Sequence, residues 1–330
     1  MLALVAVALV AMLALVIWSA NRPTPHIPLP NPNGFYDFVI AGSAVTGDIA
    51  NFEKLDQDGL HALILTNAEP LRQLRLGLTH SCSVPTESWA TNSTAMMNEL
   101  PNQKKLARLL LAEGRLAELE NRPADAARSY LDAMRLGNEI SRGGFIINRL
   151  VGLADGWIGI TPLLTLAPKL KCDQATPLIA ELEKLDADTV TWNEVLQNEN
   201  FLVRHELRKT SNPIMWITAW WQSRPAKKKG EEKHKLLTAR LRLLTTELAL
   251  RCYQSQQGHG PERLDQLIPK HLKRVPLDPF SDKPLVYRSQ GTNWLLYSIG
   301  ADKADDGGKS IGRSISGTES KGDLLYDSPR

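Results

Sequence analysis

Apolar and polar positions divide the chain into blocks of different period. Met1 to Ala20 is an apolar run without a charged side chain, long enough to cross a bilayer as one helix over residues 1–20. Arg22 to Gly34 then holds five prolines, which pre-set extended backbone and predict a semi-rigid stalk over 21–34. From Phe35 to about residue 224 the apolar residues recur at helical steps. Leu60, Leu63, Ile64, Ala68, Leu71 and Leu74 form one such face. Leu106 to Leu119 and Ala124 to Leu136 predict two helices broken at Asn121-Arg-Pro123. Ile146 to Leu166 is strongly apolar, but Asn148, Arg149 and Asp155 interrupt it, and its glycines suit a protein core better than lipid. Asp173 is expected to cap a helix through Leu185, and Asp186 or Asp188 another running to Arg208.

The charged stretch 225–235 reads as a linker between this body, residues 35–224, and a C-terminal module, residues 236–330. The module opens on an amphipathic helix with Leu237, Leu241, Leu244, Leu248 and Cys252 on one face, stopped by Gly258-His-Gly260. Val275-Pro-Leu-Asp-Pro-Phe280 predicts a tight turn, Pro284 to Tyr287 and Asn293 to Gly300 two strands, and Asp302 to Gly308 an acidic glycine loop. The fold class that follows is mainly α, with an N-terminal transmembrane helix, a helical-hairpin body and a small α+β ending with a short antiparallel sheet.

Composition narrows the function classes. With 43% hydrophobic and 23% charged residues the chain is globular. A net charge of +3, with no basic stripe interleaved with aromatics, argues against nucleic acid as a partner. Cys82, Cys172 and Cys252 are too far apart for a zinc ribbon. They read as buried small hydrophobes, or, if the body is exported, as one bridged pair and a leftover thiol. His80 and Cys82, close in sequence with Ser81 between them, carry no special claim to be a catalytic dyad. Gly307-Gly-Lys-Ser310 ends like a phosphate loop but has Lys303 where the first glycine belongs. His205-Glu206 lacks the second histidine of a zinc motif. Trp216, Trp220 and Trp221, followed by Arg224 and Lys227 to Lys229, fit a dip into anionic lipid less well than aromatic packing.

Two resemblances add to this. Gly114, Ala126, Tyr130 and Ala133 fall where the tetratricopeptide repeat places its small and aromatic packing residues, over about 34 residues and in one copy. The C-terminal module, from the amphipathic helix through Val275 to Phe280, Pro284 to Tyr287, Leu295 to Gly300, the Asp/Gly loop and Gly322-Asp-Leu324, resembles the C-terminal domain of major pseudopilins of type II secretion systems. An anchor, a helical body and this ending also resemble large families of membrane-anchored proteins of planctomycete-like bacteria. The chain departs from the pseudopilin pattern in lacking a prepilin processing site and in its long intervening body. The pseudopilin resemblance implies one ligand, calcium, held in the loop after the second strand by Ser298, Asp302, Asp305, Asp306 and Asp323, which supply the oxygen donors that calcium takes.

The function expected on these grounds is a non-enzymatic, single-pass membrane protein. It touches lipid through residues 1–20, holds its body outside the cytoplasm and meets protein partners through that body. An accessory role in a type II secretion-like system, and a hydrolase with an unrecognised site in the body, are the alternatives.

Overall fold

A computed structural model describes residues 28–86, 93–210, 213–291, 293–309 and 322–326, leaving aside the side chains of 93–97, 202–210 and 213–223. The expected anchor, the first half of the stalk and the three tryptophans' side chains lie outside what is described.

The protein is mainly helical with one small antiparallel sheet. Three short helices come first: α1 (Gly34–Ala44), α2 (Gln57–Thr66) and α3 (Ala68–Gly77). Asn33 caps α1 by accepting from Phe35 N (3.1 Å) and ties it to the Ser83 backbone on both sides of its amide. Asp56 caps α2 through Gly59 N, 2.8 Å away. Buried Asn67 turns the chain between α2 and α3 by bonding both N and O of Thr46.

The long helices follow: α4 (Ser93–Leu119), α5 (Pro123–Glu139), α6 (Ile146–Leu166), α7 (Cys172–Ala187), α8 (Trp192–Thr210) and α9 (Pro213–Gln257). Pro123 at the first position of α5 loses only an N–H that helix geometry leaves unused. The predicted caps of α7 and α8 are corrected. Lys171 precedes α7, with its N–H satisfied by Gln174, and Asp173 sits inside the first turn. At α8, Thr191 and Glu194 exchange the two bonds of a capping box, while Asp188 ends α7.

The charged stretch 225–235 is not a break. It lies within α9, which runs unbroken for 45 residues. Pro225 is solvent-exposed and takes one N–H out of the helical ladder. Glu231 pairs with Lys235 four residues on, and Gly230 admits the ring of Trp192 from α8.

Strands β1 (Val286–Gln290), β2 (Asn293–Ser298) and β3 (Leu324–Leu325) form an antiparallel sheet in chain order. Val286 pairs with Tyr297 and Gln290 with Asn293, while Ser298 pairs with Leu324. The predicted first strand begins two residues late, because Pro284 makes only an isolated bridge to Leu277.

Two hydrophobic cores meet along α4 and α5. One gathers α1 to α5 around Phe35, Phe38, Leu60, Leu74 and Leu110. The other continues from Tyr130, Ile160, Leu163 and Leu182 through Leu244 and Leu248 to Phe280, Leu296 and Leu324. The sheet and the body thus share one interior. Polar bonds seal the seam: Trp294 Nε1 donates to Glu247 (2.8 Å), Arg240 to the carbonyl of Leu325 (2.8 Å), and Tyr326 Oη to that of Leu164 (2.7 Å). Cys172, the first residue of α7, is disulfide-bonded to Cys252 of α9, with Cα atoms 5.1 Å apart. Ile146–Lys169 is long and apolar enough to cross a membrane, yet half of that apolar window is buried inside the body, where α6 packs on α5 and α9.

Candidate functional site

A broad concavity lies on the hairpin of α4 and α5. The two helices approach closely at Gly114, where a Cβ would fall 2.2 Å from the ring of Tyr130. Tyr130 donates to Glu118 (2.7 Å), and Ala126 and Ala133 are fully buried beside it. These are the small and aromatic positions singled out in the sequence, and the fold brings them together. With α3 and α7 the hairpin frames a cleft of about 940 Å³.

A ladder of ion pairs stiffens this cleft. Arg75 at the end of α3 grips both oxygens of Glu113 and donates from Nε to Asp132 (3.2 Å). Arg135 bridges Asp132 on α5 and Glu181 on α7, and Ser129 donates to Glu113 (2.7 Å). Burial pushes the Asp132 carboxyl above the ordinary range, with Arg75 and Arg135 opposing. Exposed Arg128 and Asp173 also line the cleft and, among the described residues, make no ion pair or hydrogen bond within it. The sequence does not mark this ladder, because its members come from four helices and each alone reads as a solvated charge.

Nothing among the described residues of the body assembles a nucleophile. His80 Nδ1 lies 2.8 Å from Asp37, as in a base held by a carboxylate, but no hydroxyl or thiol among the described residues bonds to the ring. Buried Cys82 directs its thiol to the carbonyl of Glu139, and burial pushes that thiol far above its ordinary pKa.

The acidic loop is built differently from the expected ligand set. Ser298 is fully buried and donates to Asp278 Oδ1 (2.9 Å), away from the loop carboxylates. Asp302 accepts from Ala304 N and Gly322 N, at 3.2 and 2.9 Å. Asp305 accepts from Tyr297 Oη (2.7 Å) and Gly307 N (2.9 Å). Asp306 is exposed. Asp323 is buried; its Oδ2 accepts from Gly308 N (2.7 Å) and its Oδ1 has no partner among the described residues. Burial raises the Asp323 carboxyl, the backbone N–H groups of Gly308 and Asp306 oppose this, and the charges of Asp305 and Asp306 raise it. Among the described residues no three acidic, histidine or cysteine side chains gather into a metal-holding group. Of the five expected ligands, Asp323 alone offers a buried oxygen free to take a cation.

Comparison of the chain with protein-family models, with curated proteins and with solved structures finds no match.

Proposed function

We propose that this is a membrane-anchored protein whose body lies outside the cytoplasm and acts by binding other proteins rather than by catalysis. The observation that carries this reading is the Cys172–Cys252 bridge, since such bonds persist in oxidising compartments and are rare in reducing ones. The apolar run of residues 1–20 supplies the anchor. The cleft across α3, α4, α5 and α7 is the docking surface: rigid, charged and open on a hairpin of the kind that lends itself to peptide binding.

The test is made on the full chain in intact cells. Free thiols are alkylated before lysis, the bridge is read by mass spectrometry, and protease is applied before and after the inner membrane is broken. A bridged body digested without inner-membrane lysis supports the reading; a reduced, protected body refutes it. A photo-crosslinker at Arg128 then reports on the cleft. Cross-links to envelope proteins that vanish in Asp173→Arg are the expected result.

The shared interior of sheet and α9 favours a second reading, in which the pseudopilin-like ending docks on a type II secretion-like assembly. Cross-linking from the exposed Asp282 to pseudopilins would separate it from the first. Calcium belongs to this same reading, with Asp323 Oδ1 as its buried donor beside Asp305 and Asp306. Calorimetric titration of the full chain tests it: heat that Asp323→Asn abolishes supports calcium, and the absence of heat removes it.

A further inference from the structure

Where α5, α6, α7 and α9 converge, a charged side chain is shut inside the protein. A Cβ on Gly152 would lie 2.0 Å from the carbonyl oxygen of Gly137, so α5 and α6 touch backbone to backbone. One turn before Gly152 stands Arg149, only 3% exposed. Its Nη2 lies 2.8 Å from His234 Nδ1, and Nη1 donates to Ser141 Oγ over 3.4 Å. Its Nε has no partner among the described residues.

No carboxylate pairs with this guanidinium among the described residues. Glu194 acts on it from a distance, with its Oε2 already taken by Thr191. Burial lowers Arg149 to about 10, which leaves it charged at neutral pH. His234 is lowered to about 3 by burial and by Arg149, so the imidazole is neutral and its Nδ1 accepts. A buried cation that meets only neutral groups is costly, and folded proteins compensate such charges.

Beside it is a cavity of about 30 Å³ lined by Arg149, Asn138, Thr189 and Thr238 together with two glycines, three leucines and a methionine. That space admits one particle of water or halide size. It is too small for sulfate or phosphate. We propose that the cavity binds one small monovalent anion, of chloride's size, as the counter-ion for Arg149 that no described carboxylate supplies. Thr189 and Thr238 now donate to backbone carbonyls 2.7 and 3.0 Å away, and each hydroxyl is free to turn its proton toward the ion. The ion would cement four helices and make the stability of the body depend on halide rather than on ionic strength alone.

Two measurements on the full chain in detergent decide this. The first is bromide-soaked crystallography, in which an anomalous bromine peak within about 3.5 Å of the guanidinium is expected. The second is thermal melting at fixed ionic strength as isethionate, too large for the cavity, is replaced by chloride. The midpoint should rise by about 3 °C in the wild type and stay flat in Arg149→Met. A site without bromine, or equal midpoints in the two salts for the wild type, overturns the proposal. Since the crystallographic arm uses only the wild type, it decides the matter even where the variant fails to fold.

Discussion

Ser298 gives its hydroxyl proton to Oδ1 of Asp278, 2.9 Å away and as fully buried as itself. The same carboxylate accepts from Phe280 N (2.9 Å) and Ile299 N (2.8 Å), so one side chain pins the turn before β1 to the end of β2. Asp278→Ala should therefore cost about 3 kcal/mol, because two backbone N–H groups and a hydroxyl lose a charged acceptor in the interior. Ser298→Ala, which leaves both backbone bonds, should cost about 1 kcal/mol. Urea denaturation of the full chain followed by far-UV circular dichroism checks the order. Equal losses would show that the hydroxyl, not the carboxylate, organises the turn.

The bridge between Cys172 and Cys252 closes a sequence separation of 80 residues. Chain entropy then assigns it about 4 kcal/mol, mainly by restricting the unfolded state. The double substitution Cys172→Ser and Cys252→Ser should lose that amount. Reducing agent should lower the melting point of the wild type by the same margin and leave the variant unchanged.

Asp155 on α6 is fully buried, with neither carboxylate oxygen partnered among the described residues, and burial holds its pKa well above the ordinary range, with Lys104 opposing. The native state therefore keeps a proton that the unfolded chain releases near pH ~4. Stability contributed by this residue is full below that point and is lost as pH rises toward the folded value. Asp155→Asn removes the titration without changing shape. It should raise stability at neutral pH and flatten the pH dependence of the melting point above about pH 4. A variant with an unchanged slope would locate the titration elsewhere.

Close approach of backbones makes Gly152 a sharper probe than Gly114. A methyl group at Gly152 meets the Gly137 carbonyl oxygen at 2.0 Å and Ser141 Oγ at 2.2 Å, and a backbone oxygen has nowhere to go. At Gly114 the obstacle is the Tyr130 ring at 2.2 Å, a side chain that has room to tilt. Gly152→Ala should cost about 3 kcal/mol or more, and Gly114→Ala measurably less. Chemical denaturation of the two variants side by side ranks them.

Legibility in the sequence follows the range of the interactions. Helices announce themselves where a single face is apolar, as from Leu237 to Cys252, because burial of one face is written at fixed spacing, whereas the one face read from Leu60 to Leu74 folds as two helices turned at Asn67. The pair of strands at Val286 to Ser298 is equally visible from its proline and glycine punctuation. Pro225 and its charged neighbours mislead, since local propensity marks a break there while i,i+4 pairing and the Trp192–Gly230 contact support a continuous helix. Ser298, expected beside Asp302, is turned instead to Asp278, a partner 20 residues earlier that only the hairpin brings near. The Arg75–Glu113–Asp132–Arg135 ladder and the enclosure of Arg149 depend wholly on tertiary contact. No spacing rule announces them.

Because α9 gives one core to the body and the sheet alike, from Leu236 to Cys252, the ending of this protein is not a detachable cassette. Cutting at residue 235 would strip Leu163, Leu166, Leu178 and Leu182 of the leucines that cover them and leave the body with an open greasy flank. The ending on its own would keep α9 beneath its hairpin but expose the face of α9 that packs on α6 and α7. A lineage that shuffled such endings between proteins would have to carry along both α9 and the helices that cover its other face.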